Sequence, residues 1–338
     1  MDYDEGIKNN YHFFRRIKME KTNSVPNRLL ILGNGFDLCL GRDTRYSDFV
    51  NSRFWPDNLK SKLYKYLESK NQIGKWFDLE NELASYIRWS EKETSAYIGT
   101  RPSRANLDEA DFKVIVEALI TYLTNVERKD VNRESIAAKV FSLACRNSAF
   151  SKIYSFNYTD LFILSKKLEL LSIPVVEYVH GCLADDSAIL GINDTEDTLG
   201  GLYDFMRKSF NPHYSSHPVS YDLKTADEVV LFGHSLGDND YHYFQSFFRH
   251  QCEENLAPEE KRTITIFTKN ENGRMNIMRT LHRMNDGKTS LLFQNNILNI
   301  FCTDDGESPA FSEWYHARML EAERLRTREF LERAKKFR

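Results

Sequence analysis

The stretch that most constrains this chain is residues 29–38, LLILGNGFDL. Four apolar residues run without interruption into the turn Gly33-Asn34-Gly35, followed by Phe36 and Asp37. An apolar run of this length, closed by glycine, predicts a strand buried on both faces, as in a parallel sheet. A glycine turn at the carboxyl end of such a strand is where open α/β sheets bind nucleotides, because backbone N–H groups there can meet a phosphate or ribose. A lone Gly-x-Gly lacks the third glycine of the dinucleotide fingerprint and is as readily a plain bend. The turn gains meaning only from partners elsewhere in the chain.

Those partners come in order. Strands are predicted at 152–156, 174–179, 188–191, 228–232 and 263–267, with shorter ones at 291–293 and 298–301. Helices are predicted at 161–171, 199–210, 241–252 and 276–284, and a charged helix covers 311–338. Strands alternating with helices argue for a parallel sheet covered on both faces. Between the first two strands, 59–67, 76–89, 107–126 and 136–144 show apolar residues three and four apart, the spacing of amphipathic helices. That block is too long for an ordinary crossover. The fold class expected is therefore α/β: a Rossmann-like parallel-sheet domain of 27–43 and 151–305. It carries a helical insertion of 44–150, an N-terminal arm of 1–26 and a C-terminal helix of 306–338.

In a parallel sheet the carboxyl ends of all strands share one edge, so four polar turns converge there: 33–37, 157–160, 180–181 and 233–240. His180 ends an apolar strand and is either a satisfied strand-end histidine or a general base. Asn157 is a turn former, or an amide that orients a ribose hydroxyl or a water. Asp37 accepts a ribose hydroxyl or caps the next helix. Glu80, inside WFDLENE, is a candidate buried acid reaching the cleft from the insertion. Gly233-His234-Ser235-Leu236-Gly237 fits the Gly-x-Ser-x-Gly elbow of serine hydrolases. The downstream acid and base it would require, Asp286 or Asp304/Asp305 with His316, follow no convincing strand. Gly233 and Ser235 can instead cradle a ribose or phosphate, with Asp238 or Asp240 opening the next helix.

Composition narrows the class. A formal net charge of −3 gives no overall pull toward nucleic acid. The C-terminal helix mixes basic residues with glutamates and reads as a solvated or partner-packing face. No segment is apolar enough to span a membrane, and the acidic N-terminus argues against a signal peptide. Five scattered cysteines without a CxxC pair suit free thiols in a reducing cytoplasm. His213 and His217 lie four apart, but Pro212 and Pro218 deny them a helical metal face, so no metal is expected.

GNGFD, TRYSDF, WFDLE, SFNYTD, VHG, ILGIND and GHSLGDNDYHYF, in that order, resemble the AbiH family of phage abortive-infection proteins over residues 27–248. More distantly, the turns are similar to the sirtuin-like fold of NAD-cleaving defence proteins. That resemblance implies an antiphage effector that binds NAD and hydrolyses its nicotinamide–ribose bond. It implies catalytic parts for His180, Asn157 and Asp160. Ligand contacts are expected at Gly33, Asn34, Gly35, Gly181, Gly233 and Ser235 from that resemblance, and at Phe36, Asp37, Tyr158, Asp238, Asp240 and Glu80 from the turns and the helix themselves. The alternative is a module that senses a nucleotide without turning it over. The partners expected are a nucleotide and a second copy or a regulatory protein, with neither membrane nor nucleic acid.

Overall fold

The computed structural model describes residues 26–73, 77–94, 101–146 and 149–336; the expected N-terminal arm and Trp76 lie outside them. Six strands form one all-parallel sheet: β1 Arg28–Leu32, β2 Lys152–Ser155, β3 Val175–Tyr178, β4 Glu228–Phe232, β5 Thr263–Thr268 and β6 Ile297–Cys302. Their spatial order is β3-β2-β1-β4-β5-β6. The chain reverses direction across the sheet between β1 and β4, and the crevice outside their carboxyl ends is the switch point of an open α/β fold.

The continuous apolar runs follow from burial on both faces. Leu30 and Leu32 of β1, with Val230 and Phe232 of β4, face one core together with Phe36, Phe141, Phe311 and Trp314. Those rings come from helices α1 Asn34–Cys39, α6 Ile136–Ala144 and α12 Pro309–Lys336. Leu29, Ile31, Val229 and Leu231 face the opposite core with Phe244, Phe247 and Leu281. This second layer contains α8 Val219–Thr225, α9 Tyr241–His250, α10 Glu271–Met284 and α11 Thr289–Asn295; α7 Leu161–Lys167 joins the first layer.

The helices between α1 and α6 share a core of their own. Helices α2 Tyr46–Val50, α3 Lys62–Ile73, α4 Leu79–Thr94 and α5 Arg101–Arg128 bury Phe49, Leu67, Leu83, Ile115 and Leu119 together. Helix α6 packs on the sheet, while Leu183, Leu190, Ile192, Tyr203 and Met206 join the insertion's core.

Three local expectations are corrected. Residues 188–191 form no strand, because Ile189 and Leu190 are buried outside the sheet, and Leu190 faces the helical layer. Residues 199–210 form only single 3-10 turns, at Asp204–Met206 and Lys208–Phe210. Their backbone pairs with Ile192 instead, through Ile192 N–H to Met206 O (2.7 Å) and Lys208 N–H to Ile192 O (3.0 Å). Residues 291–293 lie in α11, which buries Leu292 and leaves Phe293 exposed.

At the amino edge of the sheet a buried charge cluster anchors α12. Glu228 accepts from Arg28 Nε (2.8 Å) and from Arg318 Nε and Nη2 (2.8 and 2.5 Å). Arg28 Nη2 continues to Glu321 of α12 at 2.6 Å. Burial alone would push the Glu228 carboxyl up, but Arg318 and Arg28 hold it below its ordinary range.

Candidate functional site

The glycines after β1 and β4 pack against each other. Gly33 N–H donates to Phe232 O (3.0 Å) and Gly35 N–H to Gly233 O (2.9 Å). A Cβ on Gly33 would stand 2.6 Å from His234 Cα, and Gly233, at φ +64°, would drive one to 2.3 Å from Phe36 N. Only glycine permits this approach. The amides expected to meet a pyrophosphate are therefore engaged within the protein. Phe36, expected beside a ligand, is fully buried and packs edge-on against Phe232 with ring centres 5.5 Å apart.

Squeezing the two loops together aims His234 inward. Its Nδ1 accepts from Leu236 N–H at 3.0 Å, which leaves a neutral ring with its hydrogen on Nε2. That nitrogen stands 3.4 Å from Asp240 Oδ2. The other oxygen, Oδ1, lies 2.9 Å from His180 Nε2, brought in from the end of β3. Asp240 precedes α9, yet its side chain caps no backbone N–H; the histidines hold it instead. Phe156, just past β2, sets its ring edge-on to both imidazoles, with centres 5.5 Å from His180 and 4.5 Å from His234. Burial would raise the Asp240 carboxyl, but His180 and His234 hold it well below the usual carboxylate range.

Asn157 is buried beside this cluster, with Nδ2 donating to Gly33 O at 3.0 Å. That bond fixes the amide plane and leaves Oδ1 as the remaining acceptor. Glu80 reaches the same edge from α4, as the sequence predicts for a buried acid. Its Oε2 accepts from Lys208 Nζ (2.8 Å) and Asn239 Nδ2 (3.1 Å), and Oε1 stands 3.4 Å from the hydroxyls of Tyr46 and Tyr158. Burial first, then the Glu80 charge, pushes both tyrosines well above their ordinary value. Burial would lower Lys208, but Glu80 and Asp240 raise it. The insertion is thereby fastened to the loop that carries Asp240.

The other nominated residues fall outside this meeting point. Asp37 spends both oxygens internally, on Arg42 Nη1 (2.7 Å) and Thr159 Oγ1 (2.9 Å). Arg42 is itself buried, and its Nε and Nη2 have no partner among the described residues. Asp160 caps α7 through Phe162 N–H (2.7 Å) and accepts from Tyr178 OH (3.2 Å). Gly181 turns the chain at φ +74° against Ser187. Asp238 is exposed and pairs with Arg283 at 2.7 Å. Asn34 is exposed and accepts from Thr44 Oγ1 at 2.5 Å.

Ser235 is exposed, and among the described residues no histidine bonds its hydroxyl. Of the partners the elbow reading would need, Asp286 pairs with Arg249 (3.0 Å) and His316 with Ser312 O (2.7 Å). Among the described residues no group of three or more His, Cys, Asp or Glu side chains is placed to hold a metal ion. A depression of about 580 Å³ lies on the insertion between α2 and α5, lined by Asp43, Asp48, Arg53, Tyr122 and Lys129.

Sequence reading passes over two members of the cluster, His234 and Lys208, and over the buried Arg42 beside Asp37. His234 stands inside the quoted GHSLG turn, where the glycine and serine spacing draws the eye. Lys208 lies in an irregular segment without periodicity, and Arg42 is a buried cation in a stretch that reads as loop.

A parallel sheet in this strand order, with a histidine–carboxylate–histidine cluster at its switch-point edge, defines a Rossmann-like α/β protein with its candidate site where such folds bind ligands. The chain matches the family described as bacteriophage abortive infection AbiH over residues 29–257, and it belongs to that family. The matched span runs from Leu29 in β1 through β4 and α9, with the whole insertion, and so holds the entire cluster; α12 lies beyond it. No curated protein and no solved structure matches the chain. No helix among the described residues is long and apolar enough to cross a membrane.

Proposed function

We propose that this abortive-infection protein binds NAD at the carboxyl edge and hydrolyses its nicotinamide–ribose bond. The observation that carries the reading is the pairing of buried His180 with the half-buried Asp240. A neutral His180 donates its Nε2 hydrogen to Asp240 and keeps a lone pair on Nδ1. That is the arrangement of an oriented general base. Leaving-group departure builds positive charge on the ribose ring. The ionised Asp240, and Glu80 behind it, supply a fixed negative field where water is scarce. Asn157, its amide nitrogen held by Gly33 O, presents an oxygen that can position the attacking water.

The engaged amides of Gly33 and Gly35 argue against a backbone phosphate cradle there. The ribose and phosphate contacts fall instead to the exposed side chains at the two turn tips, Asn34 and Ser235. Release of nicotinamide from NAD by purified protein tests the reading. His180→Ala and Asn157→Ala are each expected to slow release by about a hundredfold or more. An active wild type whose turnover survives both changes overturns the assignment.

A second reading has its own observation. The carboxylates of Asp37, Glu80 and Asp240 all have partners within the protein. A cleft so internally satisfied suits a module that senses a nucleotide without turnover. Mass spectrometry of ligand eluted after incubation would then return the nucleotide intact.

A further inference from the structure

We propose that Ser215, His217 and Glu177 form a second, hydrolytic site on the edge of the sheet, acting on small esters with an apolar acyl group. It shares no residue with the cleft at the switch point. Ser215 and His217 lie in the loop before α8, and Glu177 lies on the edge strand β3. His217 Nδ1 stands 3.0 Å from Glu177 Oε2, and His217 Nε2 stands 3.1 Å from Ser215 Oγ. An acid on one ring nitrogen and a hydroxyl on the other is the order of nucleophile, base and orienting group that acyl transfer needs. The carboxylate fixes the hydrogen on Nδ1, so Nε2 keeps its lone pair for the serine proton.

The acid is itself held. Glu177 lies beside Tyr154 in the sheet register. Lys152 Nζ stands 3.9 Å from Glu177 Oε1 and 2.8 Å from Asp222 Oδ2, and Asp222 also accepts from Tyr154 OH at 2.6 Å. The His217 side chain keeps only 10% of its surface exposed, while Ser215 is open to solvent. A sheltered base beneath an accessible hydroxyl is the required layering. Pro212 and Pro218 bracket the loop and restrict its backbone. Exposed Val175, Tyr214 and Tyr221 flank the three residues along the chain and supply apolar surface for an acyl group.

In the reaction, Ser215 Oγ bonds to the ester carbonyl carbon while its proton passes to His217 Nε2. The carbonyl–alkoxy bond then breaks, and the alkoxide leaves as alcohol with that proton. Water, deprotonated by the same nitrogen, attacks the acyl-serine and releases acid and free enzyme. Glu177 is a positioning residue.

The test is labelling of the full chain with an alkyl fluorophosphonate, located by peptide mass spectrometry, alongside p-nitrophenyl acetate hydrolysis. The adduct is expected on Ser215. It should be lost in Ser215→Ala and slowed about a hundredfold or more in His217→Gln, and it should be unchanged in Ser235→Ala. Glu177→Gln should slow it, and Glu177→Asp should restore part of the rate, which a purely structural role would not. No adduct on Ser215, or one that forms as fast in His217→Gln, overturns the proposal and leaves the contacts as a loop hydrogen-bond chain.

Discussion

Glu228, buried, and Asp240, half-buried, are carboxylates each held by two basic side chains, at opposite edges of one sheet. Glu228 lies between Arg28 and Arg318, which carry charge at every accessible pH and give this carboxylate three close N–H donors. Asp240 lies between two histidines, of which one is tied up as a neutral ring by Leu236 N–H. The other, His180, keeps a nitrogen free of protein partners among the described residues. A carboxylate clamped by guanidinium groups is a fastener. One that orients imidazoles retains chemistry to offer, because histidine changes protonation near neutral pH. The contrast separates what holds this fold together from what the fold holds in place.

The largest expected effect falls at the amino edge. Glu228→Gln leaves two buried guanidinium groups short of an anion and should cost about 3–5 kcal/mol of stability in urea unfolding. The same clamp sets an acid limit. Arg318 and Arg28 overcome burial and hold the Glu228 carboxyl below its ordinary range. Its stabilisation is therefore present above the unfolded value of about 4.3 and drains away as pH falls through the lower folded value. The wild-type urea midpoint should drop steeply below about pH 4, and in Glu228→Gln that slope should be shallower. An unchanged slope would break the comparison at this end.

Next in size is the loop contact that brings His234 to Asp240. Gly33→Ala places a methyl 2.6 Å from His234 Cα, and backbone must move to admit it. We expect a loss of about 1–3 kcal/mol in unfolding and a displaced His234 imidazole signal in NMR spectra. A variant as stable as wild type would show that the two turns are not pressed together. The smallest effect belongs to Asp238, nominated by sequence as a ligand contact but found paired with Arg283 in solvent, its side chain 74% exposed. Asp238→Asn should change stability by about 0.5 kcal/mol or less and leave nicotinamide release at the wild-type rate. A drop in release would return Asp238 to the site.

The sheet was legible because burial on both faces writes an unbroken apolar run, as in LLIL and EVVLF. It was not legible where apolar residues serve another layer. Ile189 and Leu190 read as a strand but pack without strand neighbours, and Leu291-Leu292-Phe293 reads as a strand but belongs to a helix with one buried side. In the site, His180, Asn157, Asp240 and Glu80 could be named because each sits in a recognisable polar turn or on an amphipathic helix. Asp160 and Asp37 looked equally eligible. A strand-end acid has the same sequence whether it meets a ligand, caps a helix as Asp160 does, or neutralises a buried arginine as Asp37 does. Lys208 and Arg42 needed the fold, because the carboxylates that bury them are 128 and 5 residues away and neither spacing is a motif.

In the proposed reaction Asp240 serves chemistry where Glu228 serves stability. The most direct measurement is nicotinamide release from NAD by Asp240→Asn, with folded content fixed by circular dichroism in the same samples. We expect a folded protein whose release is slowed by about a hundredfold or more, because the amide no longer orients and supports His180. A folded Asp240→Asn variant that releases nicotinamide at the wild-type rate would contradict it.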